Sequence, residues 1–104
     1  MEYDLYILKR DDFDKFIDRL EKDVLTRVAR DMSFLKEHGL DLRMPFAKRI
    51  NNDLWELRTS GKQKVRILYS IKGKQIYVAH WFIKKGRKIP KKELLTATRR
   101  LTSI

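Results

Sequence analysis

The sequence predicts an α+β fold in which helices pack against an antiparallel sheet. Apolar residues in the first part of the chain repeat with the period of a helix, whereas three later segments alternate and are separated by glycine turns. A final segment after Pro90 returns to helical spacing. The predicted order is therefore a strand, two helices, a three-stranded antiparallel meander and a C-terminal helix. The helices are expected to cover one face of the sheet.

Local patterns define the N-terminal elements. Residues 3–8, YDLYIL, are rich in aromatic and aliphatic side chains and predict a short strand. Asp11 or Asp12 can cap the helix that follows. A break in the apolar stripe near residues 21–23 favours two helices over one long helix, and Gly39 is expected to end the second.

The meander is predicted from the remaining segments. Residues 40–53 are interpreted as irregular, because Pro45 and the polar run at residues 51–53 favour turns. Strands are predicted at residues 54–58, 63–70 and 75–82.

Alternation along these strands separates an apolar face from a cationic face. The predicted core face carries Trp55, Leu57, Val65, Ile67 and Tyr69. The opposite face, away from the helices, carries Arg58, Lys64 and Arg66. The third strand is apolar on both sides, and strict alternation places His80 on the side of Val78 and Phe82.

Arg66 allows two interpretations. It lies in mid-strand between Val65 and Ile67, where an unpaired charge is costly once it is covered. It forms an ion pair with Glu56 of the neighbouring strand, or it binds a phosphate through its guanidinium fork. Both hold if Glu56 orients the arginine.

The charge of the chain points to a polyanionic partner. The 104 residues include 25 Lys and Arg and 14 Asp and Glu, a net charge of +11. The excess lies in residues 42–104, where Asp53, Glu56 and Glu93 are the only acidic residues. Counterion release attracts such a chain to polyanions, so nucleic acid, an acidic protein and an anionic membrane surface are the expected kinds of partner. Nucleic acid is favoured over the alternative of a merely soluble basic domain. The length predicts one domain over residues 1–104.

Composition argues against several other classes of protein. The chain has no cysteine, which excludes disulfides and cysteine zinc sites and is typical of the reducing cytoplasm, where the chain is expected to act. Neither a signal peptide nor a membrane-spanning segment is recognisable. His38 and His80 stand alone, without an acidic cluster in the cationic part, so neither a metal nor another cofactor is expected.

Three linked motifs resemble those of a known toxin family. They are LWELR at residues 54–58, VRILY at residues 65–69, and HWFIKKGRKIPKKEL from residue 80. In this order they resemble the phage-derived, HigB-like branch of the RelE/ParE toxin superfamily. The matching positions are Leu54, Glu56, Leu57, Arg58, Arg66, Tyr69, His80, Phe82, Lys84, Lys85, Lys88 and Pro90. Trp81 and Gly86 depart from the glycine and threonine that are usual there, and Gly86 lacks a hydroxyl that could contact a phosphate.

The resemblance implies a RelE-like fold and the toxin of a type II toxin–antitoxin pair. It further implies an mRNA endoribonuclease that acts on the ribosome and is silenced by a cognate antitoxin, commonly a small helix-turn-helix protein. Because the 2′-OH of RNA is the nucleophile, such an enzyme has to position it and to stabilise charge on the phosphoryl oxygens. Cations can do this without a metal.

The candidate catalytic residues follow from the motifs and the predicted faces. Arg66 and Arg58 are expected on the phosphate, and Lys84 on the attacking or leaving oxygen. Lys85 is the alternative to Lys84, because adjacent residues near a strand end point in opposite directions. His80 is a further candidate, although a packed, hydrogen-bonded histidine is the favoured interpretation. The predicted RNA-binding residues are Lys48, Arg49, Lys64, Arg87 and Lys88.

Two other functions are compatible with the sequence. One is a non-catalytic member of the same superfamily, such as a gyrase-binding relative. The other is a plain basic nucleic-acid-binding module, which only the charge supports and which needs no antitoxin.

Overall fold

A five-stranded mixed sheet runs through the computed structural model, which describes residues 2–104. The strands are β1 (Asp4–Ile7), β2 (Ala47–Arg49), β3 (Trp55–Arg58), β4 (Val65–Lys72) and β5 (Gln75–Ile83). The helices are α1 (Arg10–Asp18), α2 (Lys22–His38) and α3 (Lys91–Thr102), and a 3₁₀ turn spans Gly39–Asp41. Within the described residues, none of these helices is both long and apolar enough to span a membrane.

The strand order confirms the predicted α+β class and is compatible with a RelE-like fold. The sheet has the order β1-β5-β4-β3-β2, with β1 parallel to β5 and antiparallel pairing elsewhere. The predicted meander corresponds to β3, β4 and β5, and the preference for two N-terminal helices is confirmed.

Two local predictions are wrong. Residues 40–53 are not wholly irregular, since they contain part of the 3₁₀ turn and the whole of β2. The N-cap of α1 is Lys9, in a left-handed conformation and without a side-chain cap, so neither Asp11 nor Asp12 caps this helix. Both aspartates instead lie in its first turn, where their negative charge interacts favourably with the positive end of the helix dipole.

Gly39 ends α2, as predicted, and packing on Tyr3 explains why a glycine stands there. The residue has a φ of 50°, a conformation that favours glycine. A Cβ on Gly39 would overlap the ring of Tyr3. The Tyr3 hydroxyl accepts a hydrogen bond from the backbone N–H of Leu40 at 3.4 Å, which joins the segment before β1 to the end of α2.

Helices cover both faces of the sheet. α1 and α2 pack on the predicted core face, against Leu57, Val65, Ile67, Tyr69 and, partly buried, Trp55. α3 packs on the opposite face, over Leu54, Leu68, Ala79 and Phe82. The expectation that helices cover one face is therefore wrong. The face with the arginines is open only where α3 does not reach.

A β-bulge in β5 changes which side chains face α3. β4 pairs Leu68 with His80 but the next residue, Tyr69, with Val78, so Ala79 is an extra residue in β5. Because Leu68 belongs to the apolar cluster under α3, His80 lies on the α3 side. The expected position of His80 on the side of Val78 is therefore wrong, since strict alternation fails at the bulge.

The hydroxyl of Tyr69 is a polar group inside the core. The residue is fully buried, and its hydroxyl has no hydrogen-bond partner within residues 2–104. Burial raises the pKa of Tyr69. Because the folded pKa exceeds the unfolded value of about 10, the stability that the neutral phenol contributes is complete below about pH 10 and is lost as the pH rises through the folded pKa.

We expect Tyr69→Phe to equal or exceed the wild type in free energy of unfolding at pH 7, because an unsatisfied buried hydroxyl costs about 1–3 kcal/mol. The variant should also lose less stability than the wild type as the pH rises above about 10. Urea unfolding monitored by circular dichroism measures both effects. Tyr6→Phe, at a tyrosine that is 46% exposed, is the control. A marked loss of stability in Tyr69→Phe at pH 7 would show that the hydroxyl is bonded after all.

Candidate nucleic-acid site on the sheet

Arg58 and Arg66 lie directly opposite each other on β3 and β4. The backbone N–H of Thr59 donates to the carbonyl of Val65, so the ladder bonds flank the arginine pair and do not join it. Side chains of such a non-hydrogen-bonded pair lie closest together in an antiparallel sheet. Like charges in this position destabilise the sheet unless another group compensates them.

Glu56 compensates one of the two charges. Its Oε1 lies 3.7 Å from Nε of Arg58, and its Oε2 lies 3.7 Å from Nε of Arg66. The side chains of Glu56 and Arg66 are 3% and 8% exposed, whereas that of Arg58 is 29% exposed. The ion pair between Arg66 and Glu56 that the sequence suggested is therefore present. One carboxylate faces two guanidinium groups, so the cluster keeps a net positive charge.

Backbone carbonyls fix the guanidinium of Arg66. Its Nη1 donates to the carbonyls of Thr59 at 3.2 Å and Val65 at 2.9 Å. Burial lowers the pKa of Arg66, an effect that Glu56 opposes and Arg58 reinforces. These two backbone carbonyls of the sheet set the position of the guanidinium group. Both hydrogen bonds use Nη1, so Nη2 remains for a ligand. Sequence patterns did not indicate Thr59, because a backbone carbonyl carries no residue-type signal.

Lys64 and Lys84 extend the arginine face toward the end of β5. The backbone N–H of Lys84 donates to the carbonyl of Lys64 at 2.9 Å, which continues the β4–β5 ladder by one pair. Alternation from Arg66 and its partner Phe82 places both lysine side chains on the face of Arg66. By the same alternation Lys85 points to the other face.

An open groove lies beside these lysines. It has a volume of about 680 Å³ and is lined by Lys62, Gln63, Lys64, Ile83, Lys84, Lys85, Gly86 and Arg87. Both candidate lysines, Lys84 and Lys85, therefore border the same groove. Arg87 and Lys88 follow in the exposed segment before α3.

Lys48 and Arg49 have different surroundings although they are adjacent. Lys48 lies opposite Glu56 across β2 and β3, on the arginine face. Arg49 points the other way, and its Nε and Nη2 each donate at 3.1 Å to the carbonyls of Asn51 and Asn52. Of the two predicted RNA contacts, only Lys48 lies on the face of the arginine pair.

His80 is held by α3. Its Nε2 lies 2.9 Å from Oε1 of Glu93, and its Nδ1 lies 3.4 Å from Nη1 of Arg100. Arg100 also donates to the carbonyl of Ala79, at the bulge. The side chain of His80 is 13% exposed, which confirms a packed, hydrogen-bonded histidine. The sequence did not indicate Glu93 or Arg100 as partners, since both lie far along the chain from His80.

Removing the carboxylate of Glu56 tests the charge balance of the cluster. Glu56→Gln leaves two neighbouring cations uncompensated, and we expect a loss of about 3 kcal/mol in the free energy of unfolding, the lower end for a broken buried pair. Inorganic phosphate should raise the melting temperature of this variant more than that of the wild type, at constant ionic strength. Glu37→Gln, whose carboxylate is exposed, is the control. Equal stability and equal phosphate responses in all three proteins would contradict this description of the cluster.

Comparison with known proteins places the chain in a family. The family model described as "Phage derived protein Gp49-like (DUF891)" matches residues 15–102, a span that runs from α1 to the end of α3 and includes all of the site residues above. This family is a RelE-like, toxin-like family. A search of curated proteins finds no match to the chain.

Proposed function

The chain belongs to the phage-derived, toxin-like Gp49-like family, and we propose that it is the toxin of a type II toxin–antitoxin pair. In this proposal the protein is an mRNA endoribonuclease of the HigB-like branch that acts on ribosome-bound message in the cytoplasm. The observation that carries it is the arginine pair, Arg58 and Arg66, which shares the single carboxylate of Glu56. A phosphate group supplies the negative charge that this cluster lacks.

The two arginines would stabilise the transition state of a 2′-OH attack. The 2′-oxygen bonds to the adjacent phosphorus while the bond to the 5′-oxygen breaks, so negative charge develops on the phosphoryl oxygens. Arg66 is fixed by the carbonyls of Thr59 and Val65, so its guanidinium needs little reorganisation when this charge appears. Arg58 is the more exposed of the pair and reaches the phosphate from the solvent side.

Lys84 is the residue proposed at the attacking or leaving oxygen. Alternation places it on the arginine face, two residues beyond Phe82 along the strand. Lys85 borders the same groove and is the alternative. His80 would act indirectly, because its two ring nitrogens contact Glu93 and Arg100. Its contact with Glu93 joins the end of β5 to the first turn of α3, and the segment between them carries Lys84 and Lys85.

Further cations would hold the neighbouring nucleotides. Lys48 and Lys64 lie on the arginine face, on either side of the pair, and Arg87 and Lys88 follow Lys84 in exposed positions. Each phosphate contact releases counterions, so binding to RNA or to the ribosome should weaken steeply with salt. The proposed protein partner is an antitoxin, commonly a small helix-turn-helix protein, as the toxin-like family suggests.

Exchanging arginine for lysine distinguishes a bidentate contact with the phosphate from a general effect of positive charge. In Arg58→Lys the charge is kept and the bidentate fork is lost, so cleavage of translated mRNA should fall by about two orders of magnitude, the scale for losing one charge-stabilising donor. The melting temperature should change little, because Arg58 makes only weak side-chain contacts. Arg66→Lys should lower both cleavage and stability, since it also gives up the bonds to Thr59 and Val65.

The matched control is Arg19→Lys, because Arg19 is exposed at the end of α1. Normal cleavage by both folded variants, Arg58→Lys and Arg66→Lys, would remove the arginines from the mechanism. Binding of gyrase without any cleavage by the wild type would favour the non-catalytic alternative.

Expression in bacteria tests the toxin assignment as a whole. We expect induction of the wild-type chain to arrest growth and Arg58→Lys to relieve the arrest, because the variant keeps the fold and loses the fork. Co-expression of a helix-turn-helix protein encoded beside this chain should restore growth. Growth curves and the amount of folded product are the measurements. Harmless expression of folded wild-type protein would refute the assignment.

A further inference from the structure

The outer edge of β2 is open at Arg49. β2 is the last strand of the sheet within residues 2–104. The carbonyl of Phe46 accepts the N–H of Arg58 in β3, so by alternation the backbone groups of Ala47 and Arg49 point away from β3. The N–H of Ala47 bonds to the carbonyl of Arg43. Ala47 is 2% exposed, so its carbonyl is covered. Arg49 is exposed, and its backbone N–H and carbonyl therefore remain for another strand.

An apolar groove runs along the same edge. Its volume is about 320 Å³, and it is lined by Leu40, Leu42, Arg43, Met44, Ala47, Lys48, Arg49 and Trp55. Leu40 is 49% exposed and Met44 is 57% exposed, so two of the large apolar side chains that the described part of the chain exposes meet here. Neighbouring exposed apolar side chains beside an open strand edge are typical of a surface that binds an extended peptide.

The charge around the groove favours an acidic partner. Arg43 and Lys48 are exposed at its border, and none of the lining residues is acidic. Arg58 also reaches this surface, because its Nη1 lies 3.4 Å from Sδ of Met44. A carboxylate near Met44 would therefore meet the arginine pair, which carries more positive charge than Glu56 balances.

A protein segment fits this surface better than RNA. The groove is mainly apolar, and the free backbone N–H and carbonyl of Arg49 at its border suit the ladder bonds of a strand. Arg49, the arginine in its wall, already donates to the carbonyls of Asn51 and Asn52 and stacks 5.4 Å from the ring centre of Trp55. Its guanidinium has no free fork for a phosphate.

We propose that an extended acidic segment of a partner protein adds a strand to the outer edge of β2. A large apolar side chain of this segment lies between Leu40 and Met44, and an acidic side chain lies beside Arg58. If the chain is a toxin as proposed above, this segment belongs to its inhibitor and acts by compensating Arg58. The docking itself does not depend on RNA cleavage.

Peptide selection tests the docking without any assay of activity. Random peptides of about ten residues, displayed on phage, are selected on the purified full chain. The enriched peptides should alternate acidic and large apolar residues. They should lose at least about tenfold in affinity on the double variant Leu40→Ser/Met44→Ser, because it removes the apolar anchor of the interface. Leu95→Ser, at a leucine that is 66% exposed on α3, is the matched control and should keep the affinity.

Amide hydrogen exchange of the wild type locates the bound peptide and does not rely on any variant. The backbone N–H of Arg49 should exchange at least about tenfold more slowly with peptide bound, since it becomes part of a ladder. The N–H of Lys48 faces β3 and should change little. The proposal is overturned if no peptide is recovered, if the recovered peptides lack the acidic–apolar pattern, or if they bind the double variant equally well. Binding without protection of Arg49, or an RNA oligonucleotide that protects the groove instead, also overturns it.

Discussion

The charge of Arg66 is the constraint on which the arrangement of the site depends. A buried arginine near the start of β4, in a sheet with helices on both faces, is stable only if nearby groups take up its charge and its donors. Thr59 and Val65 supply carbonyls to Nη1, and Glu56 supplies a carboxylate 3.7 Å from Nε, which has no hydrogen-bond partner within residues 2–104. Glu56 is shared with Arg58, so the compensation is incomplete. The same interactions that stabilise Arg66 in the fold leave the cluster with a net positive charge.

The position of α3 decides how much of the arginine face is open. The helix covers the apolar part of that face, over Leu68, Ala79 and Phe82, and the contact between Glu93 and His80 fixes its first turn. The segment between β5 and α3 is therefore anchored at both ends by the sheet. A loop anchored in this way has fewer conformations available to its cations, which would lower the entropic cost of binding a polyanion.

The sequence predicted most of the fold because the meander and the helical stripe are local patterns. The face of Arg58, Lys64 and Arg66 followed from alternation alone, and the register of β3 and β4 agrees with it. Alternation failed at Ala79, since a bulge depends on how β5 fits against β4 and not on residue type. The face that α3 covers was also missed, because its apolar stripe is compatible with either side of the sheet.

Trp81, which replaces the glycine usual in the related motif, shows how the bulge is supported. Its ring packs edge-on against Phe13 of α1, with ring centres 5.0 Å apart, and Arg100 of α3 lies 5.3 Å from it. Arg100 also donates to the carbonyl of Ala79, the residue that the bulge leaves without a partner in β4. One arginine therefore joins the bulge, Trp81 and His80 to α3. A glycine at position 81 would leave Phe13 without this partner, so here the large side chain takes part in linking the layers on the two faces of the sheet.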